Sequence, residues 1–363
     1  MNSYKLLTPG PLTTTATVKK EMLTDRCTWD EDYKKITQKT RNQLLKIAGT
    51  DPNIYTSVLL QGSGTFGVES VLTSSLKSQH TCLIITNGAY GNRMIEIVKR
   101  AGLNNIVYTV PSEQIPVASE IEIILHNNKD ISHIAMVHCE TTTGILNPLL
   151  PLAQLAQKYN KTFIVDAMSS FGGIELDVQK LGIDFLISSA NKCIQGVPGF
   201  CFVIAKKDAL QACQGNSRSL SLDLYDQWKT MAADGKWRYT SPTHVIAAFS
   251  KALDELESEG GVKARSERYA GNNKLLRGEL SKLGISSFVK EEWQSPIIST
   301  FLYPSANFDF NDFYHYVKER GYVLYPGKLT EVDTFRIGNI GEIYQDDIRR
   351  LSEIIASYLK RGS

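Results

Sequence analysis

The feature that most limits how this chain can fold is an alternation between about residues 55 and 205. Short, nearly uninterrupted apolar runs recur there, at residues 55–60, 82–86, 134–138, 162–166, 185–188 and 199–204. Helical stretches separate several of them, at 66–76, 91–101 and 149–159. Strands that are apolar at nearly every position must be covered on both faces, which a mostly parallel sheet between two helical layers provides. In such a sheet ligands bind beyond the carboxyl ends of the strands. The residues that leave those ends are therefore the candidates for chemistry.

Further along, Val245, Ala248, Phe249, Ala252, Leu253 and Leu256 fall at helical spacing and form one apolar stripe. Gly260-Gly261 is expected to kink or end that helix before a polar helix over 265–283. After Gly284 the texture changes to a strand at 296–302, a helix at 311–320 closed by Gly321, and strands at 322–325 and 334–337. A final helix turns Ile348, Leu351, Ile355 and Leu359 inward. Small segregated elements of this kind make an α+β unit. The expected division is an N-terminal arm (1–15), a large domain (16–260) and a small C-terminal domain (261–363).

Composition narrows the function. With 42% hydrophobic and 21% charged residues and a net charge of +2, the chain is neither disordered nor a basic nucleic-acid binder. No apolar run reaches the roughly 18–20 residues of a membrane span, and the first residues lack the apolar core of a signal peptide. A cytoplasmic protein without nucleic-acid or membrane partners is expected. The six cysteines form no CxxC and mostly sit in apolar runs, so they read as small core residues in a reducing compartment. The six histidines show no ligand spacing. His138-Cys139-Glu140 is weak support for a metal cluster, and no metal is expected.

Gly62-Ser63-Gly64-Thr65-Phe66-Gly67 matches the dinucleotide fingerprint GxGxxG between a strand and a helix. That fingerprint also needs an acidic residue about 20 positions later, at the end of the second strand. No Asp or Glu lies between Glu69 and Glu96. What remains is a glycine-lined turn whose backbone N–H groups at a helix N-terminus can hold a phosphate. Asp166 ends one apolar strand, where a turn or N-cap aspartate is the plain alternative, and Lys192 follows the next, where a surface lysine is. A carboxylate, a lysine and a phosphate loop at one sheet edge suit pyridoxal phosphate. The lysine holds the cofactor covalently, the carboxylate keeps the pyridine nitrogen protonated, and the helix N-terminus takes the phosphate.

Several stretches resemble class V aminotransferases: Asp166-Ala167-Met168-Ser169-Ser170-Phe171-Gly172-Gly173, the segment Ser188-Ser189-Ala190-Asn191-Lys192 continued to Gly199, and Phe335-Arg336-Ile337-Gly338-Asn339. Three more signs narrow the likeness: Leu7-Thr8-Pro9-Gly10-Pro11, the run from Ser217 to Tyr225, and the run from Lys236 to His244. They resemble the members that transfer the amino group of 2-aminoethylphosphonate to pyruvate. The resemblance spans nearly the whole chain. It implies a fold-type I transferase with a large mostly parallel-sheet domain and a smaller C-terminal α+β domain. It also implies that Lys192 carries pyridoxal phosphate, that Asp166 pairs with the ring nitrogen, and that Ser63, Gly64 and Thr65 cradle the phosphate with Asn191 nearby. Tyr90 falls where relatives stack an aromatic ring on the cofactor, although many use tryptophan there. Thr141 would lie near the cofactor's phenolic oxygen. Thr240 would reach the phosphate of a partner subunit, making a homodimer the expected unit. Arg336 is the implied substrate-anion residue; without the resemblance, a strand-end arginine in a surface ion pair would be the simpler reading. The competing functions are another class V transamination, such as alanine:glyoxylate or serine:pyruvate, then a nicotinamide oxidoreductase, then a binding protein without catalysis.

Overall fold

The computed structural model describes residues 4–329 and 331–361. Its centre is a seven-stranded sheet: β1 (Tyr55–Gln61), β2 (Thr81–Thr86), β3 (Asn104–Thr109), β4 (Ile131–Val137), β5 (Thr162–Asp166), β6 (Phe185–Ser189) and β7 (Phe200–Lys206). The order across the sheet is β1-β7-β6-β5-β4-β2-β3. All pairings are parallel except those of β7, which runs antiparallel to both neighbours. Alternate residues of one strand feed opposite cores, as the pleat requires. Phe200, Phe202 and Ile204 enter one layer, while Cys201, Val203 and Ala205 enter the other. Strand β3 was not expected from the sequence. It is the sheet edge, and most of its residues are exposed or half-exposed, so its run Asn104–Thr109 lacks the continuous apolar signature.

The register brings the functional ends together. Asp166 pairs with Val137 of β4 on one side and Ile187 of β6 on the other. Gln61 of β1 pairs with Phe200 and Ser189 with Cys201, so β1, β4, β5 and β6 all finish at one edge. Helix α1 (Gly64–Ser75) follows β1 and helix α2 (Ala89–Arg100) follows β2. Each starts two residues earlier than the apolar spacing predicts, which places Gly64 and Thr65 in the first turn of α1.

The apolar stripe lies on α3 (Thr243–Glu259), and the glycine pair ends that helix. Gly260 and Gly261 adopt φ of +110° and +78°, and α4 (Gly261–Lys282) departs in a new direction. The C-terminal elements build a third core around Phe301, Phe313, Phe335 and Ile348. They include a three-stranded antiparallel sheet of β8 (Ile298–Leu302), β9 (Tyr325–Pro326) and β10 (Thr334–Gly338) in the order β8-β10-β9. The N-terminal arm is sewn into this core. Lys5–Leu6 pairs with Tyr322–Val323, Leu7 is fully buried in the core, and the Gly338 N–H donates to the Leu7 carbonyl at 2.9 Å.

Five cysteines are buried and unpaired, but Cys27 is exposed in a loop, which corrects the core reading at that position. Its neighbours Asp25, Arg26 and Thr28 are polar, so no apolar run draws it inward. No helix among the described residues is long and apolar enough to cross a membrane.

Candidate active site

A cavity of about 240 Å³ opens where those strands end, and Ser63, Tyr90, Arg93, Asp166, Asn191 and Lys192 are among the residues that line it. Ser63 is the N-cap of α1, yet its hydroxyl makes no capping bond, so it remains available alongside the N–H groups of the first turn. Gly64 is required by space: a Cβ there would lie 2.1 Å from the Met168 sulfur, another lining residue. Thr65 Oγ1 accepts a hydrogen bond from Arg93 Nη1 at 3.0 Å.

Asp166 is buried, and its Oδ1 accepts from the Met168 N–H at 2.8 Å. Burial pushes its carboxyl up to about 6, with the Glu140 charge adding to that; the Met168 N–H, Lys192 and Arg93 oppose it. Lys192 enters from the loop after β6, and its Nζ donates to the Pro9 carbonyl at 2.7 Å. Burial lowers its amine to about 8, assisted by Arg336 and opposed chiefly by Cys193 and Asp166. A lysine poised near neutrality beside an ionisable carboxylate can take and return a proton. The arm is pressed against it. Gly10 has φ of +111°, and a Cβ there would sit 2.6 Å from Lys192 Cδ and 2.8 Å from the Asn191 carbonyl.

Tyr90 is half-buried on the cavity wall, with the Arg93 guanidinium 5.0 Å from its ring centre. Its backbone is fixed by Glu140, a fully buried carboxylate that accepts from the Tyr90 N–H at 3.0 Å and the Thr142 hydroxyl at 2.6 Å. Glu140 thus sits at the N-terminus of α2, where its negative charge meets the helix dipole. Its neighbours in sequence face elsewhere: His138 bonds Ser170, and Cys139 donates to Ser295.

Thr141 is buried, and its hydroxyl has no hydrogen-bond partner among the described residues. Its carbonyl accepts from Arg336 Nη1 at 2.9 Å, and Arg336 Nε donates to the Pro326 carbonyl at 3.0 Å. Arg336 is therefore a buried residue of β10 that ties the C-terminal sheet to the large sheet's loop, rather than the exposed member of an ion pair. Its Nη2 makes no hydrogen bond among the described residues. Arg336 does not line the cavity itself, but it is close enough to lower the Lys192 amine. Thr240 is exposed and lies outside the cavity of its own chain. The neighbouring Tyr239 lines a separate cleft with Gly62, Phe66 and Trp237.

Sequence reasoning missed Arg93, Glu140 and the Pro9 carbonyl as parts of the site. Arg93 is one of several basic residues on a helix, with no spacing to single it out. Pro9 acts through its backbone, which no side-chain pattern reveals.

Comparison with known proteins identifies the family and the fold. The family model described as Aminotransferase class-V matches residues 24–333. The chain is 59% identical over 359 residues to a 2-aminoethylphosphonate--pyruvate transaminase of Lysinibacillus sphaericus (strain C3-41), covering 99% of this chain and 98% of that one. It is 54% identical over 356 residues to the protein of that name in Bacillus thuringiensis (strain Al Hakam), covering 98% of each. Among solved structures, the fold matches ureidoglycine-glyoxylate aminotransferase of Bacillus subtilis with a TM-score of 0.92 at 20% identity, over 99% of this chain and 94% of that one. It also matches an alanine--glyoxylate aminotransferase of Nostoc sp. with a TM-score of 0.90 at 21% identity, over 99% and 96%. The mostly parallel sheet with its C-terminal α+β elements is the fold-type I architecture, and the chain belongs to the class-V aminotransferase family.

Proposed function

We propose that this protein transfers the amino group of 2-aminoethylphosphonate to pyruvate, giving phosphonoacetaldehyde and L-alanine, with pyridoxal phosphate as cofactor. The observation that carries this reading is the meeting of Lys192, Asp166 and the α1 N-terminus in one cavity, in a chain 54–59% identical to transaminases of that name. The residues fit the cofactor: the buried Thr141 hydroxyl lacks a partner, the Ser63 hydroxyl is free of its cap, and Gly64 leaves no space for a side chain against Met168. When bound, the cofactor supplies a carbonyl that captures amines and a ring that absorbs electrons.

The chain's own residues do the rest. Ser63, Gly64 and Thr65 hold the phosphate, with Asn191 beside them. Asp166, with Oδ1 taken by the Met168 N–H, has its other oxygen left to pair with the ring nitrogen, where it would keep a proton. Tyr90 would cover the ring, and the Thr141 hydroxyl would serve its phenolic oxygen. Lys192 would anchor the cofactor through Nζ; once freed by the donor amine, Nζ would hold the proton taken from the donor's carbon and hand it to the carbon that Nζ itself had occupied. Arg336 Nη2 is available to the substrate anion. In the return half, the same groups work on pyruvate in reverse.

The division into an arm, a large domain to about residue 260 and a small domain is part of this reading, as are a cytoplasmic location and a homodimer. The homodimer is supported by the exposed Thr240 and by the cleft of about 500 Å³ that Phe66 and Tyr239 line beside the phosphate loop. The test is visible absorbance. A yellow band that fades with 2-aminoethylphosphonate and returns with pyruvate is expected. A band that ignores this donor but responds to serine or alanine moves the activity to a sister transamination. A protein that stays colourless after incubation with pyridoxal phosphate overturns the reading.

A further inference from the structure

A single guanidinium does not distinguish a phosphonate from a carboxylate, because its fork fits both. Arg336 also has two of its donors engaged by the Thr141 and Pro326 carbonyls. Two further cations converge on the same place. Arg93, on α2, has its guanidinium carbon 5.0 Å from the centre of the Tyr90 ring, and Lys328, in the loop after β9, has its Nζ 5.4 Å from that centre. Arg93 lies in a distant part of the sequence from Lys328 and Arg336, and none of the three has an ion-pair partner among the described residues. The buried carboxylate nearby, Glu140, has its oxygens committed to the Tyr90 N–H and to Thr142. The Lys328 amine is pushed down by partial desolvation and then by Arg336 and Arg93, with Glu140 opposing, so the three cations share one positive field that a single buried carboxylate offsets only in part.

The sign and size of that field suit a particular ligand. Attraction to fixed cations scales with ligand charge, so a doubly charged phosphonate gains about twice what a carboxylate gains from each added cation. We propose that Arg93 and Lys328 form a clamp with Arg336 on the phosphonate of the amino donor, and that these two residues select a phosphonate over a carboxylate. The clamp rests on the donor reading given above. Pyruvate needs only Arg336.

The test uses holoenzyme and ethylphosphonate, a probe that has no amino group and cannot react, with propionate as the carboxylate control. Calorimetry gives each dissociation constant for the wild type, Arg93→Ala, Arg93→Lys and Lys328→Ala. Ethylphosphonate is expected to weaken about ten-fold or more in both alanine variants. Propionate should change by less than about three-fold, since each lost charge counts less for a monoanion. Arg93→Lys should recover part of the loss. Lys328 is exposed, so its variant tests the clamp without threatening the fold. Equal weakening of both anions, or no change in either, overturns the proposal. An Arg93→Ala protein that loses cofactor affinity alone also overturns it, because Arg93 would then serve the cofactor phosphate through Thr65. Wild-type absorbance on adding 2-aminoethylphosphonate separates the two readings. Silence there, with ethylphosphonate preference present and lost in the variants, removes the donor and keeps the clamp.

Discussion

The two walls of the cavity are built by different means. One wall is the edge of the large sheet: Ser63 follows β1, Asp166 ends β5 and Lys192 follows β6, each fixed by strand register. The other side is assembled from scattered pieces: the Pro9 carbonyl from the arm and Arg93 from α2 at the cavity, and Lys328 from a loop and Arg336 from β10 next to it but outside its lining. A wall hung on a sheet keeps its geometry whatever substrate arrives. A wall made of separate segments can change its charge and shape without disturbing the sheet. Chemistry common to a family belongs on the first, and substrate choice on the second.

Substitutions can break or sharpen that contrast. The largest effect is expected at Lys192→Ala, where turnover, followed as alanine formed, should fall by about 10²–10⁴ with cofactor still bound when supplied. Wild-type turnover in that variant would remove Lys192 from the chemistry. Arg336→Ala should lower kcat/KM for both donor and pyruvate by about 100-fold. It should also lower stability by about 1–3 kcal/mol, because two carbonyls lose their donor. Thermal melting and steady-state kinetics together decide the matter. A lower melting temperature with unchanged kinetics would make Arg336 a structural tie alone.

What could be read in advance follows the same contrast. The apolar runs that became β1, β2 and β4–β7 mark their own ends, so Asp166 and Lys192 stood out as the groups leaving neighbouring strands. The edge strand β3 left no such mark, because solvent covers much of it. Arg336 rested on resemblance, since a lone arginine in Thr334–Gly338 says nothing of its burial or of the Thr141 carbonyl nearly 200 positions away. Lys328 and the Pro9 carbonyl acquire meaning only once the chain has folded around Tyr90 and Lys192.

A smaller effect is expected at Gly10→Ala. The added Cβ must displace either Lys192 Cδ or the Asn191 backbone, at a φ of +111° that L-residues avoid. A loss of about 1–2 kcal/mol in stability should accompany a fall in kcat on the order of ten-fold. A variant with unchanged kinetics would show that the arm does not set the lysine's position.

The gentlest probe is pH. In protein stripped of cofactor, Lys192 should react with an amine-specific reagent half-maximally near pH 8, against about 10.5 for an ordinary lysine amine. Folding depresses this pKa, so the unfolded chain binds more protons between those values and stability rises with pH there. That contribution, about 3 kcal/mol at most, is lost as pH falls through about 8. Lys192→Met should flatten the slope in denaturant titrations; an unchanged slope would place its origin elsewhere.

The arm's attachment to β10 has a mechanical consequence. A Cβ on Gly338 would lie 2.3 Å from the Thr8 carbonyl, and Gly338 is two residues from Arg336, while Thr8 is next to Pro9. The segment whose Pro9 carbonyl holds Lys192 and the strand that carries Arg336 are thus pressed directly against each other. Any free energy that this contact transmits between the two is reciprocal, of equal size in both directions.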